Sequence, residues 1–258
     1  MSRIKKAFED KKAFIGFVTG GDPTIAKTKE FIMEMVRAGA DLIEIGIPFS
    51  DPIAEGSVIQ EANLRALANG TTTDKLFEMV AELRKETDVP MVFLTYLNPV
   101  YKYGYERFSK RCQEAGIDGL IIPDLPYEEK QELAVTAQAY DVDLISLIAP
   151  TSQERIQKIA KDASGFLYVV SSMGVTGVRN EITTDLKDII EMIRKVTDIP
   201  AAIGFGINTP VQAKEMAKTA DGAIVGSAIV KIIAEYKEKA GKPIYEYVKN
   251  MKKAVLEA

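Results

Sequence analysis

The sequence predicts a single closed (β/α)8 TIM barrel with an N-terminal helix and an extra short helix after strand 8. Eight short apolar segments recur along the chain, a helical pattern follows each, and 258 residues is an ordinary length for such a barrel. Strand–helix alternation is typical of parallel strands joined by right-handed crossovers. No linker-like segment interrupts the pattern, so we expect residues 1–258 to form one domain. A doubly wound open sheet is the alternative.

The predicted strands are apolar without clean alternation, which is typical of strands buried on both faces. They cover residues 13–19, 42–47, 91–96, 119–122, 143–148, 166–170, 201–204 and 222–225.

The segments between the strands carry apolar residues at near-helical spacing, and several open with Ser, Thr or Pro. The predicted helices are residues 24–38, 73–87, 105–115, 128–140, 152–162, 186–196 and 210–219, with 227–237 and 243–258 after the last strand. Residues 1–10 predict a short amphipathic helix. Residues 48–58 hold two prolines and no periodicity, which predicts a loop.

Composition excludes several kinds of chemistry. The chain has no histidine, which removes Ser-His-Asp, Cys-His and His-ligated zinc sites. Its one cysteine, Cys112, excludes a disulfide framework and a Cys-rich metal site, and indicates a reducing compartment, so we expect a cytoplasmic protein without a metal. The net charge of −4 argues against a nucleic-acid partner. The apolar runs are too short to span a membrane, and no signal peptide is recognisable.

Glycines after strands 7 and 8 predict a phosphate site. In barrel enzymes these two loops and an extra helix often bind phosphate. Gly206 and Gly226 allow backbone N–H groups to approach an anion, and the helix that begins near Ser227 supplies unpaired donors. We expect Ser227 to cap this helix and to donate its hydroxyl. The alternative is that the glycines only permit tight turns.

Strand 2 carries an acidic residue in an apolar setting. If its isoleucines pack outward, Leu42, Glu44 and Gly46 point into the barrel. Partial burial should raise the pKa of Glu44 toward neutrality, which suits a general acid or base. The alternative is a structural glutamate paired with an arginine or lysine.

Several motifs, in order along the chain, together resemble the tryptophan synthase alpha chain family. They are FVTGGDP at residues 17–23, EIGIPFSDP at 44–52, YLNP at 96–99, GVTG at 174–177, GFGI at 204–207 and GSAIV at 226–230. The resemblance covers essentially the whole chain. It implies a barrel enzyme that cleaves indole-3-glycerol phosphate to indole and glyceraldehyde 3-phosphate by a retro-aldol reaction.

The resemblance also implies a partner and the absence of a cofactor in this chain. The partner is a beta chain that carries pyridoxal phosphate (PLP) and joins indole to serine, in an α2β2 heterotetramer. The partner face is expected to include Asp51, Pro52 and Asn98.

The same resemblance implies residue roles. Glu44 is the catalytic acid and base, and Glu55 is a second carboxylate at the indole N–H. Thr176 is expected to hydrogen-bond that second carboxylate. The other substrate-binding residues are Phe17, Leu94 and Tyr168 around the indole, Tyr96 near the site, and Gly177, Gly206, Gly226 and Ser227 at the phosphate.

Two residues depart from the family pattern. Glu55 stands where the family usually has aspartate, which adds one methylene and another rotatable bond. Ser57 stands where proline is usual, which allows a more mobile loop. We expect Glu55 to serve as the second carboxylate through an adjusted loop.

Three other functions remain open at this stage. One is a different phosphate-binding barrel, such as an isomerase or an aldolase-type lyase, although no predicted strand contains the lysine that a Schiff-base aldolase needs. Another is a non-catalytic subunit that activates a beta chain. The third is a stand-alone lyase that releases free indole.

Overall fold

Eight parallel strands pair in chain order and close into a barrel in the computed structural model, which describes residues 3–170, 183–204 and 206–258. The strands are β1 (Ala13–Thr19), β2 (Leu42–Gly46), β3 (Met91–Leu94), β4 (Gly119–Ile121), β5 (Asp143–Ile148), β6 (Leu167–Val170), β7 (Ala201–Gly204) and β8 (Gly222–Val225). Strand β1 pairs with both β2 and β8, which closes the sheet. The predicted fold is therefore confirmed, and the open sheet is excluded.

Helices follow the strands and surround the barrel. They are α1 (Arg3–Ala7), α2 (Ile25–Arg37), α3 (Ser57–Ala68), α4 (Thr73–Leu83), α5 (Leu97–Tyr103), α6 (Tyr105–Ala115), α7 (Gln131–Ala139), α8 (Gln153–Lys161), α9 (Thr183–Arg194), α10 (Pro210–Thr219), α11 (Ser227–Tyr236) and α12 (Gly241–Leu256). Helix α11 is the predicted extra helix after the last strand. Within residues 3–170, 183–204 and 206–258, no helix has the length and hydropathy needed to cross a membrane.

Helices α3 and α5 were not predicted. The buried face of α3 is made by Ala62, Asn63 and Ala66, which give little apolar periodicity. Helix α5 is only seven residues long and contains Pro99 near its start. Proline is tolerated in the first turn of a helix because the N–H there has no intrahelical partner. Both helices are therefore compatible with their sequences, although neither shows a strong helical pattern.

The strands place alternate side chains inside and outside the barrel, as predicted for β2. Leu42 packs in the interior cluster, whereas Ile43 and Ile45 pack in the cluster that includes the surrounding helices. Helix α1 closes the end of the barrel where the strands begin. Ile4 of this helix is fully buried in the interior cluster. One end of the barrel is thus filled, and the other end is available for a site.

Aspartates at the start of strands satisfy backbone donors at this closed end. Asp41, Asp118 and Asp221 each precede a strand and accept a hydrogen bond from an N–H group of the preceding strand in the barrel, at 2.7–2.8 Å. Each also pairs with a basic side chain. Asp41 binds Lys252 at 2.5 Å and Lys11 at 2.7 Å, and so connects α12 to the barrel.

The substitution Asp41→Asn should lower the free energy of unfolding by about 3–5 kcal/mol, because it leaves the buried Lys252 ammonium without its counter-charge. Equilibrium urea unfolding followed by circular dichroism measures this change. The matched control is Glu215→Gln, which breaks the exposed pair with Lys218 and should cost less than about 1 kcal/mol. Equal losses in the two variants would show that the buried pair has no special role in stability.

Candidate active site

A cavity of about 910 Å³ opens at the carboxyl ends of the strands. Every strand, or the residue or loop that follows it, contributes to the wall: the contributors include Phe17, Glu44, Leu94, Ile122, Ile145, Tyr168, Ile207 and Ile224. The lining is mainly apolar with a few polar groups, and its size is typical of a site for a small organic ligand. This is the end of a barrel where active sites are found.

Glu44 is the one acidic strand residue in the described part of this wall. It lies on β2 beside Phe17 of β1 and Val92 of β3, and it is 1% exposed. Its Oε1 atom has no hydrogen-bond partner among the described residues, and no ion pair found there includes Glu44. Burial raises the pKa of Glu44 from its ordinary value of 4.5 to about 8. The predicted inward carboxyl with a raised pKa is confirmed, and the ion-paired alternative is excluded for these residues.

Aromatic and aliphatic side chains form the cavity wall around Glu44. Phe17 and Tyr168 are almost fully buried, and Leu94 is partly buried. Burial, followed by the nearby charge of Glu44, raises the pKa of Tyr168 well above its ordinary value. The Tyr168 side chain also explains why residue 204 is a glycine. A Cβ atom at Gly204 would lie only 2.5 Å from the Tyr168 hydroxyl oxygen. The three predicted indole-wall residues are therefore brought together beside Glu44.

Glu55 lines the same cavity from the loop between β2 and α3. Its Oε2 atom accepts a hydrogen bond from Nδ2 of Asn63 at 2.6 Å. Burial raises the pKa of Glu55, while hydrogen bonds from the Asn63 amide and the Tyr96 hydroxyl oppose that rise. The two predicted carboxyl groups therefore face one cavity, in different polar surroundings.

Tyr96 supports the loop that carries Glu55. The residue is 2% exposed and lies behind the cavity wall. Its hydroxyl oxygen accepts a hydrogen bond from the backbone N–H of Ala54 at 3.0 Å, and its ring lies 5.4 Å from that of Phe49. Burial is the main cause that raises the pKa of Tyr96 to about 12, so its hydroxyl stays protonated at neutral pH.

Three of the four predicted phosphate residues lie in the cavity wall. Gly206, Gly226 and Ser227 all line it. The expectation that Ser227 caps α11 is wrong: Gly226 is the N-cap residue, Ser227 is the first helical residue, and among the described residues the cap makes no side-chain hydrogen bond. Ser227 therefore lines the cavity without capping the helix. Thr176 and Gly177 lie outside the described residues.

The predicted partner residues lie near the loop of Glu55. Asp51 and Asn98 are exposed and Pro52 is partly exposed. Ile53, which follows Pro52 and also lines the cavity, is 75% exposed. An exposed apolar side chain in this position is compatible with an interface, and the roles of the three residues stay predictions.

Sequence reasoning missed the wall that follows β4 and β5. Tyr127, Lys130 and Arg155 line the cavity there. The Lys130 ammonium lies 4.7 Å from the centre of the Tyr127 ring, and Arg155 pairs with Glu128. These residues carry no compact motif, so only the barrel geometry places them at the site. Among the described residues, no group of three or more His, Cys, Asp or Glu side chains could hold a metal ion.

Comparison with known proteins decides the family. The family model described as tryptophan synthase alpha chain matches residues 3–256. The chain belongs to the tryptophan synthase alpha chain family. A relative with that description from Lacticaseibacillus casei is 51% identical over 255 residues, which cover 99% of this chain and 96% of the relative.

Solved structures of this family have the same fold. Tryptophan synthase subunit alpha from Legionella pneumophila superposes with a TM-score of 0.91 at 36% identity, and the match covers all of both chains. A chain from the tryptophan synthase α2β2 complex of Pyrococcus furiosus superposes with a TM-score of 0.86 at 35% identity, over 93% of this chain and 98% of that one. The family that the motifs predict is confirmed, and with it the function of a carbon–carbon lyase in tryptophan biosynthesis.

The buried Glu44 carboxyl should make stability depend on pH. Because its pKa is raised, the folded protein keeps this proton to higher pH than the unfolded chain does. The stability that results is present below pH 4.5 and is lost as the pH rises to about 8. Between pH 5 and pH 8, Glu44→Gln should therefore become more stable relative to the original protein by on the order of 3 kcal/mol.

Urea unfolding at the two pH values measures this difference. The control Glu246→Gln changes an exposed glutamate of α12, and its effect should be the same at both. A Glu44→Gln effect that does not change with pH would mean that the carboxyl titrates as it does in water.

Proposed function

We propose that Glu44 is the acid and base that cleaves indole-3-glycerol phosphate to indole and glyceraldehyde 3-phosphate. The observation that carries this proposal is the buried Glu44 carboxyl, whose Oε1 has no partner among the described residues and whose pKa is about 8. A group with a pKa near neutrality can both give and take a proton. Its apolar surroundings leave the substrate as its natural hydrogen-bonding partner.

The reaction needs two proton transfers. The Glu44 carboxyl, protonated at neutral pH, donates its proton to the indole ring carbon that bears the side chain. The resulting carboxylate accepts the proton of the adjacent hydroxyl group, the carbon–carbon bond breaks, and the bonding electrons restore the aromatic indole. Glyceraldehyde 3-phosphate leaves as the aldehyde, and Glu44 is again protonated. One carboxyl thus completes the cycle.

Glu55 stabilises the charge that this first transfer creates. Protonation of the ring carbon places positive character on the indole N–H, and a carboxylate there lowers the barrier. The hydrogen bond from Asn63 favours the ionised form of Glu55 over the protonated form. The two carboxyl groups have different environments, and we assign them different roles for that reason.

The rest of the cavity binds the two ends of the substrate. Phe17, Leu94 and Tyr168 contact the indole ring. Backbone N–H groups near Gly206 and Gly226 and the hydroxyl of Ser227 bind the phosphate, at the positive end of the α11 dipole. The family resemblance adds Gly177 at the phosphate and Thr176 at Glu55. Tyr96 acts on the site through its hydroxyl, which hydrogen-bonds the Glu55 carboxyl and the backbone N–H of Ala54.

The chain acts with a beta chain in an α2β2 heterotetramer, as the related chain from Pyrococcus furiosus does. Asp51, Pro52 and Asn98 lie in the partner face. The PLP of the combined reaction belongs to the beta chain, and proton transfer by Glu44 requires no cofactor in this chain. The single cysteine and the biosynthetic family support a cytoplasmic location for a one-domain protein.

The substitution Glu44→Gln should lower kcat for indole release by about 10²–10⁴-fold, because the amide cannot transfer the proton. KM should change little, since the side chain keeps its size. Glu55→Gln should lower kcat by roughly 10²-fold through loss of charge stabilisation. The assay follows indole release from indole-3-glycerol phosphate, with and without a beta chain.

The control for both variants is Glu246→Gln on the outer surface, which should keep full activity. Undiminished indole release by Glu44→Gln would exclude Glu44 as the acid and base. If the unsubstituted protein released no indole with or without a beta chain, the result would instead support the alternative of a non-catalytic subunit that activates a beta chain.

Alanine substitutions at Ser227 and Ser152 should separate an effect on substrate binding from an effect on protein stability. Ser227→Ala removes the proposed hydrogen bond to the phosphate, so it should raise KM by roughly tenfold, the effect of one hydrogen bond to a charged group. Because Ser227 makes no cap hydrogen bond, the same substitution should leave the unfolding temperature unchanged. Ser152 accepts a hydrogen bond from the N–H of Arg155 and caps α8. Ser152→Ala should therefore lower stability by about 1 kcal/mol and leave KM unchanged. Steady-state kinetics and thermal unfolding of both variants test this; an unchanged KM in Ser227→Ala would remove Ser227 from the phosphate site.

A further inference from the structure

We propose that Asn63 is a positioning residue for the Glu55 carboxylate, and that it allows a glutamate to serve where the family usually has an aspartate. This inference rests on the proposed role of Glu55. It adds a residue that neither the motifs nor the predicted site includes. Two features support this role: the contact between the two side chains, and the packing of α3, which carries Asn63.

The contact is short and buried. Nδ2 of Asn63 lies 2.6 Å from Oε2 of Glu55, and Asn63 is 3% exposed. Its neighbours on the buried face of α3 are Ala62 and Ala66. An amide in such an apolar face costs free energy unless it is hydrogen-bonded. The Glu55 carboxylate supplies that bond, so the two side chains hold each other.

Helix α3 is anchored directly beside Asn63. Arg65 donates from Nε and Nη2 to the two carboxylate oxygens of Asp22, at 2.9 and 2.8 Å. Asp22 is 1% exposed and lies in the loop after β1. A bidentate pair of this kind fixes orientation as well as distance. The anchor therefore holds α3, and with it Asn63, against the rim of the barrel.

Helix α3 also packs against parts of the proposed substrate site. Ala62 forms an apolar cluster with Phe17 of β1 and Val230 of α11. Phe17 lines the proposed indole pocket, and α11 begins at the proposed phosphate site. The position of Asn63 is thus set relative to both ends of the substrate.

The longer side chain of Glu55 requires a partner such as Asn63 to fix the position of its carboxylate. Glutamate has one more rotatable bond than aspartate, and its carboxylate can occupy more positions. Glu55 stands on a loop without regular structure, where Tyr96 holds the neighbouring Ala54. The bond to Asn63 restricts the end of the side chain itself. Misplacement of a catalytic group by about 1 Å can lower a rate by up to roughly 10²-fold.

A double-mutant cycle on the full chain tests the proposal. The variants are Asn63→Ala, Glu55→Ala and the double variant, assayed for indole release from indole-3-glycerol phosphate. Asn63→Ala should lower kcat by about tenfold or more with KM within about twofold, because only the position of a group that acts during the reaction changes. In the Glu55→Ala background, the same substitution should lower kcat by less than about twofold.

Two further variants separate positioning from folding. Asn63→Leu keeps the size of the side chain and removes the donor, so it should lose kcat as Asn63→Ala does while its unfolding temperature shows that it is folded. Asn69→Ala, at the C-cap of α3, removes a side-chain hydrogen bond to the backbone oxygen of Pro23 and leaves the contact between Asn63 and Glu55 in place. It should keep kcat, because a small loosening of α3 alone does not release the carboxylate.

The outcomes are distinguishable. The positioning role would be overturned if Asn63→Ala lowered kcat by the same factor with and without Glu55. An unchanged kcat in Asn63→Leu would overturn it as well. If Glu55→Ala loses turnover while both Asn63 variants keep it, only this inference fails. If Glu55→Ala keeps full turnover, the proposed role of Glu55 fails as well.

Discussion

The chemistry of this barrel depends on one buried carboxyl group. Glu44 lies in the wall of the barrel between two apolar strands, and the described residues offer Oε1 no hydrogen bond. Such a group is costly to ionise, which is why its pKa rises to about 8. The cost is a loss of stability at neutral pH, and the gain is a proton held where the substrate binds. Stability and chemistry are therefore coupled at this residue.

Buried acidic side chains have different partners at the two ends of the barrel. At the closed end, Asp41 is buried but has two lysines and a backbone N–H as partners. At the open end, Glu44 has an apolar wall instead of a counter-charge. Asp41 therefore connects elements of the fold, whereas Glu44 is available to a ligand. Glu55 lies between these extremes, because Asn63 gives it a donor without a full charge. Acidic side chains thus have three different roles in one barrel, and the groups around each carboxyl determine which role it has.

The strands could be predicted closely from the sequence because they are buried on both faces and are short and apolar. Four of them, including β1 and β8, begin and end where the sequence predicts. The inward direction of Glu44 follows from strand alternation alone. The barrel then brings Phe17, Leu94, Tyr168 and both proposed carboxylates to one cavity.

The parts that could not be predicted depend on contacts between distant segments. Asn63 is one polar residue in a helix with a weak apolar pattern. Only the structure shows that its amide lies 2.6 Å from the Glu55 carboxyl. The cap of α11 falls on Gly226 and not on Ser227, a shift of one residue that local sequence does not determine. The motif places Tyr96 near the site, but only the structure shows that its hydroxyl contacts Glu55 and the backbone of Ala54.

Titration of the Glu44 carboxyl itself decides whether this residue holds a proton at neutral pH. Carbon-13 NMR of protein labelled at the glutamate side-chain carboxyl carbon, with Glu44→Gln to assign the resonance, gives its pKa in the unliganded enzyme. We expect a midpoint near 8. A midpoint near the ordinary value of 4.5 would mean that the carboxyl is already ionised at neutral pH, and would contradict its role as the proton donor.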